Sequence, residues 1–127
     1  MREIKFRGKS KISGKWFFGS LIKDKDRSWI SVQEEHWNLG VFDNFDVVPE
    51  TVGQYTGLKD KNGKEIYEGD ILKVTTVRGE TRWQMEVDFK DGCFALEEGP
   101  ELWKLKYDYP NHEVVGNIYE NPELLER

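Results

Sequence analysis

A chain of 127 residues has room for about one domain, and folding removes roughly two-thirds of its unfolded surface from water, enough for one modest core. Charged residues make up 34% and mean hydropathy is −0.74, yet aromatics supply 13%, a content that excludes a disordered segment and points to a small, aromatic-rich core. The net charge of −5 disfavours non-specific DNA binding, which draws on phosphate neutralisation, and the single cysteine, Cys93, excludes an internal disulfide and fits a reducing compartment.

The opening MREIKFRGKSK carries five basic residues and no apolar stretch, so it does not read as a secretory signal. No later run approaches the roughly 20 apolar residues of a membrane span. A soluble, cytoplasmic protein without a membrane partner is expected. Alternation and β-branched or aromatic enrichment then predict strands over 3–7, 15–22, 28–32, 51–56, 70–77, 82–89, 92–97 and 113–119. Turn signals separate them at Ser13-Gly14, 24–26, Asn62-Gly63, Arg78-Gly79 and Asp91-Gly92. Between 33 and 45, Trp37, Val41 and Phe45 recur at helical spacing, but Gly40 interrupts them, which leaves a loop or a single turn. Asn121-Pro122-Glu123 offers a cap, a proline at the first helical position and an acid beside it, the start of a short helix or 3₁₀ turn.

The stretch LKDKNGKEIYEGD, 58–70, looks like a calcium loop because Asp60, Asn62, Glu65, Glu68 and Asp70 surround Gly63. An EF-hand wants ligands at its first, third and fifth positions, glycine at the sixth and glutamate at the twelfth. With Gly63 as the sixth, the first is Leu58 and the twelfth is Gly69, so the spacing fails. A hairpin turn at Asn62-Gly63, flanked by Leu58 and by Ile66 with Tyr67, explains the residues better, both turn residues tolerating positive φ.

The run GQYTGLKDKNGKEIYEGDIL (53–72) and the ending EVVGNIYENPELL (113–125), with REIKFRGK near the start and DGCF at 91–94, resemble the hallmark segments of the YopX family of phage and prophage proteins. The resemblance runs from end to end and implies a small, mostly β protein encoded in mobile elements. It brings no activity and no catalytic residues. Residues 24–48 depart from the pattern, either as the seat of specificity or as simple variation. The expected architecture is a single domain of antiparallel hairpins with possible subdomains 1–57 and 58–127: a small SH3-like barrel in the C-terminal half, since Tyr67-Glu68-Gly69-Asp70-Ile71-Leu72 has the glycine-acid entry of such a barrel strand, and an additional N-terminal β layer.

Candidate chemistry is sparse. Cys93 has only His36 and His112 as possible bases, and in a strand between Gly92 and Phe94 a cysteine behaves as a small hydrophobe. These three residues are too scattered for zinc, and no phosphate-binding or dinucleotide glycine pattern occurs. No cofactor or metal is therefore expected. Glu65, Glu68 and Asp70 offer carboxylates for a hydrolase, against the simpler reading of a solvated edge. Residues 1–30 hold nine Lys or Arg against three acids, a balance of +6, and residues 31–127 hold ten against twenty-one, a balance of −11. Within the basic part, Trp16, Phe17, Phe18 and Trp29 interleave with Arg7, Lys9, Lys11, Lys15 and Arg27, the combination that single-strand nucleic-acid binders use for stacking and phosphate attraction. Alternation sends Trp16 and Phe18 to one side and Phe17 to the other, so one side is core. The leading expectation is a non-enzymatic binding or self-assembling β module. Arg7, Lys15, Trp16, Phe18 and Trp29 are its candidate ligand or interface residues, single-stranded nucleic acid or a hydrolase using carboxylates near Asp70 are the alternatives, and a homo-oligomer is held by strand edges and opposite charge.

Overall fold

The computed structural model describes residues 3–33, 42–75, 81–90, 93–98, 101–104 and 112–125. Among them are eleven strands, all paired antiparallel where register is defined, and two 3₁₀ turns, with no α-helix. The mainly β reading holds. The chain divides into two compact units, Met1–Tyr55 and Thr56–Arg127.

The first unit contains β1 (Phe6–Lys9), β2 (Trp16–Asp24), β3 (Arg27–Gln33), β4 (Phe42–Val47), the 3₁₀ turn Pro49–Thr51 and the start of β5 (Gly53–Lys59), ordered β4-β3-β2-β1-β5. Its spine is β2, which pairs with β1 from Trp16 to Gly19 and with β3 from Ser20 to Asp24. The exchange of partners at Gly19 has a steric cause: a Cβ there would run into the Ser31 carbonyl oxygen, so only glycine lets the strands approach this closely. The sheet curls until the end of β4 meets the end of β1. Ser10 bridges Val47, the Lys11 N–H donates to the Asp46 carbonyl at 3.1 Å and the Val48 N–H to Lys9 at 2.9 Å.

Register fixes the two faces of this curled sheet, because directly paired residues share a face. Phe17, Leu21, Ile30, Phe45 and Val47 point inward; Ile30 and Val47 are fully buried, and the Phe17 and Phe45 rings stack at 3.8 Å. Arg7, Trp16, Phe18, Ile22 and Trp29 therefore lie on the opposite, outer face.

The second unit holds the end of β5, then β6 (Glu65–Tyr67), β7 (Asp70–Thr75), β8 (Thr81–Lys90), β9 (Cys93–Glu98), β10 (Glu101–Lys104), β11 (His112–Asn117) and the 3₁₀ turn Pro122–Leu125. Five of these strands form a sheet ordered β10-β9-β8-β7-β11, and Ile66, Leu72, Val74, Met85 and Val87 form its buried core, with Leu58, Phe94 and Val114 packed against them. The expected SH3-like barrel does not close: among the described residues β10 and β11 stand at opposite edges of an open sheet. A barrel needs its terminal strands to pair, whereas the outer edge of β11 is taken up by the 60–64 loop.

Three strands fall outside the predicted spans, although the hairpin expected at Asn62-Gly63 implies β6. β4 reads FDNFDV, while β6 and β10 have three and four residues, so turn-forming Asp and Asn hide the first and brevity the other two. Residues 34–41 of the expected loop, and the turns at Arg78-Gly79 and Asp91-Gly92, lie outside the described residues. The C-terminal turn at Pro122 is present as expected. Among the described residues no helix is long and apolar enough to cross a membrane.

Candidate binding face and the Asp60 loop

On the outer face of the first unit, β2 sets out Trp16, Phe18 and Ile22 at alternate positions, and Trp29 sits opposite Ile22 on β3. Trp16 and Phe18, two residues apart, are separated by about 7 Å, whereas Ser20 intervenes before Ile22, which lies about 13 Å along the strand from Phe18. Phe18 is 45% exposed and Ile22 41%, while both tryptophans are half-buried. Each indole is held by a guanidinium, Arg7 Cζ lying 4.7 Å from the Trp16 ring centre and Arg27 Cζ 4.7 Å from that of Trp29, and Lys5 Nζ lies 5.3 Å above Tyr55. These cation–π contacts hold the rings in place. Arg7 is only 7% exposed, so it positions Trp16 rather than meeting solvent. Lys15 is exposed at the entry to β2, beside Trp16. Four of the five candidate residues named from sequence, Arg7, Trp16, Phe18 and Trp29, thus share one face.

Sequence reasoning missed Asp46. It faces Trp29 across the β3–β4 pair, its Oδ2 accepts from the Arg27 guanidinium at 3.1 Å and its Oδ1 lies 3.7 Å from Lys11 Nζ. One carboxylate thus bridges two cations at the rim of an aromatic surface. The signal was lost with β4, since without that strand nothing places residue 46 near residues 11 and 27.

The calcium-like stretch is structural. Asp60 Oδ1 accepts the Asn62 and Lys64 N–H groups at 2.8 and 2.9 Å, and Oδ2 accepts the Val114 N–H at 2.9 Å. The Asp60 N–H donates to Lys64 at 2.8 Å and the Gly63 N–H to Asp60 at 3.0 Å, closing the loop between β5 and β6. Gly63 has φ +83°; Asn62 is not among the positive-φ residues, so the loop is wider than the two-residue turn expected. The Lys61 N–H donates to the His112 carbonyl at 3.1 Å, and Lys61 Nζ pairs with Glu113 at 3.5 Å. These contacts satisfy the Val114 N–H and the His112 carbonyl on the outer edge of β11, which blunts that edge against pairing with another chain. Among the described residues no His, Cys, Asp or Glu side chains gather in a metal-holding group.

Burial raises the Asp60 carboxyl, but the N–H donors of Val114, Lys64 and Asn62, with the Lys64 charge, outweigh it and hold the group below its ordinary 3.8. Burial pushes the His112 imidazole below its ordinary 6.5, against the opposing pulls of its own backbone bond and of Asp60. Both groups therefore bind protons more readily in the unfolded chain, so the His112 contribution to stability is full above about pH 6.5 and falls as pH drops below it. A second loss sets in below about pH 3.8 as Asp60 is protonated. Urea midpoints measured from pH 8 to 4 are expected to fall below pH 6.5 in the native chain and to stay nearly level down to pH 5 in His112→Asn.

Of the carboxylates proposed for a hydrolase, Glu65 opens β6, Glu68 lies in the turn after it and Asp70 opens β7. Asp70 is buried and its Oδ2 accepts the Tyr67 N–H at 2.8 Å, and Glu65 accepts the Tyr67 hydroxyl at 3.0 Å. Cys93 opens β9, whereas His112 opens β11. β8 and β7 lie between those strands, a backbone separation of roughly 14 Å at ordinary strand spacing. His36 lies outside the described residues.

The fold and these surfaces define a small antiparallel β protein with an aromatic outer face on its N-terminal sheet and a loop-protected edge in its C-terminal sheet. Residues 5–126 match the family model described as YopX protein, and the chain belongs to the YopX family. It is 36% identical over 74 residues to the SPbeta prophage-derived uncharacterized protein YopX of Bacillus subtilis strain 168, a match covering 50% of this chain and 52% of that protein; the chain thus spans about half the length of that curated relative. Among solved structures, protein EF1440 from Enterococcus faecalis superposes with a TM-score of 0.63 at 26% identity, covering 99% of this chain and 100% of that one. Protein yopX from Bacillus subtilis superposes with a TM-score of 0.62 at 23% identity, over 100% and 98%, a likeness of fold.

Proposed function

We propose that the chain is a non-enzymatic binding module of prophage type whose working surface is the outer face of the N-terminal sheet, and that its ligand is single-stranded nucleic acid. The supporting observation is the alignment of Trp16, Phe18 and Trp29 on that face with Arg7 and Arg27 stacked on the indoles. Exposed aromatics accept bases of any identity, and nearby cations take the phosphates. Lys11, Lys15 and Arg27 are the exposed cations at the face, so about three phosphates are neutralised and the logarithm of affinity falls with the logarithm of salt at a slope of about −2.

Asp46 supplies the test. Its carboxylate occupies the place between Lys11 and Arg27 that a phosphodiester takes on binding, so Asp46→Asn is expected to tighten binding of a labelled oligothymidylate severalfold in fluorescence anisotropy. Phe18→Ala is expected to weaken it roughly tenfold, in line with about 1–3 kcal/mol per stacked base. Unchanged affinity in both variants, or no binding by the native chain at low salt, contradicts the proposal.

Phe18 and Ile22 also suit an interface with a second copy of this chain, since apolar residues at an exposed face form interface cores. Light scattering separates the two uses: a dimer mass that Phe18→Ala abolishes supports self-association, and a mass of 15.0 kDa at low and high salt argues against it.

A further inference from the structure

The loop joining β1 to β2, Ser10-Lys11-Ile12-Ser13-Gly14-Lys15, presents Ile12 at 93% exposure. Single exposed apolar residues are common on protein surfaces, but this one is carried by a fully bonded loop. The Ile12 and Ser13 N–H groups donate to Ser10 Oγ at 3.2 and 3.1 Å, and the Lys15 N–H donates to Ser13 Oγ at 3.2 Å. Lys11 donates to the Asp46 carbonyl at 3.1 Å, Gly14 to Ser10 at 3.1 Å, and Ser10 itself to Lys15 at 2.8 Å. Every backbone N–H from Ser10 to Lys15 is thereby satisfied, and Ile12 is held outward between the two exposed lysines Lys11 and Lys15. The loop leads directly into Trp16, the first aromatic of the outer face.

We infer that Ile12 is a wedge that inserts into the base step where a bound single strand enters a duplex, with Lys11 and Lys15 taking the phosphates on either side. The inference rests on the nucleic-acid reading of the outer face. A rigid apolar side chain flanked by cations has the chemistry that kinks and unstacks base steps in other nucleic-acid complexes, and rigidity matters because an ordered loop spends no further entropy on insertion. The lysines favour a polyanion, which makes duplex DNA or RNA the occupant rather than an apolar protein surface.

The test uses the full chain, an oligothymidylate tail alone, and the same tail attached to a hairpin duplex carrying 2-aminopurine at the terminal pair. The native chain is expected to bind the tailed duplex roughly tenfold more tightly than the tail, a gain of about 1.4 kcal/mol, and to raise 2-aminopurine fluorescence. Ile12→Ser, folded by circular dichroism, should lose both the preference and the fluorescence rise while binding the tail as the native chain does. Phe18→Ala should weaken both substrates alike. If Ile12→Ser keeps the preference and the signal, the wedge is wrong and the binding face stands. If the native chain binds the tail with no measurable affinity, the binding face fails and the wedge fails with it.

Discussion

Asp60→Ala is expected to destabilise the protein by about 3–4 kcal/mol, because it strands three N–H donors that a buried carboxylate now satisfies, bonds to charged groups being worth about 1.5–3 kcal/mol each before partial rehydration. Two of those donors belong to the loop itself, Asn62 and Lys64, and the third is Val114 on β11. The loss therefore releases the edge of the C-terminal sheet as well as the turn. Urea unfolding should show it, and hydrogen exchange should place the accelerated amides at 62, 64 and 114. Asp60→Asn retains oxygen at one position only and is expected to recover part of the stability. Millimolar calcium should leave the melting temperature of the native chain unchanged; a marked rise would show that the carboxylate has a use other than these backbone bonds.

Gly19→Ala is the second large effect, with an expected cost of about 2–3 kcal/mol by the overpacking route. The added Cβ meets the Ser31 carbonyl oxygen, a backbone atom that gives way only if β3 moves. Gly63→Ala is the informative contrast. Its Cβ would meet nothing within 4 Å, but φ is +83°, so the cost is the conformational one of about 1–2 kcal/mol. A larger loss at 63 than at 19 would contradict the close approach of β2 and β3.

What was legible in the sequence was local. Alternation in WFFGSLIKD and RSWISVQ placed β2 and β3, and parity separated Phe17 from Trp16 and Phe18, which is why the aromatic face was anticipated in outline. The turn chemistry of Asp60 to Gly63 was also visible. What was hidden was long-range. The same Asp60 carboxylate reaches Val114, 54 residues away, and no local pattern announces it. β4 was concealed by its own Asp and Asn, and with it went Asp46, the residue that joins Lys11 to Arg27. The barrel was assigned to the C-terminal half, yet it is the N-terminal sheet that curls until Ser10 bridges Val47. Sheet closure depends on which strand ends meet, and that is set by partner exchanges such as the one at Gly19 rather than by hydrophobic period.

On the proposed nucleic-acid reading, Asp46 would keep this acidic chain from binding every polyanion. Its carboxylate must yield Lys11 and Arg27 before a phosphate gains them, so electrostatic attraction is reduced and stacking on Phe18 carries a larger share of the affinity.

The most direct measurement is photochemical cross-linking of the full chain to an oligonucleotide containing 5-iodouridine, followed by mass spectrometry of the linked peptides. The binding-face account expects cross-links confined to Trp16, Phe18 and Trp29; cross-links found only within residues 56–127, or none at protein concentrations that saturate anisotropy, would contradict it.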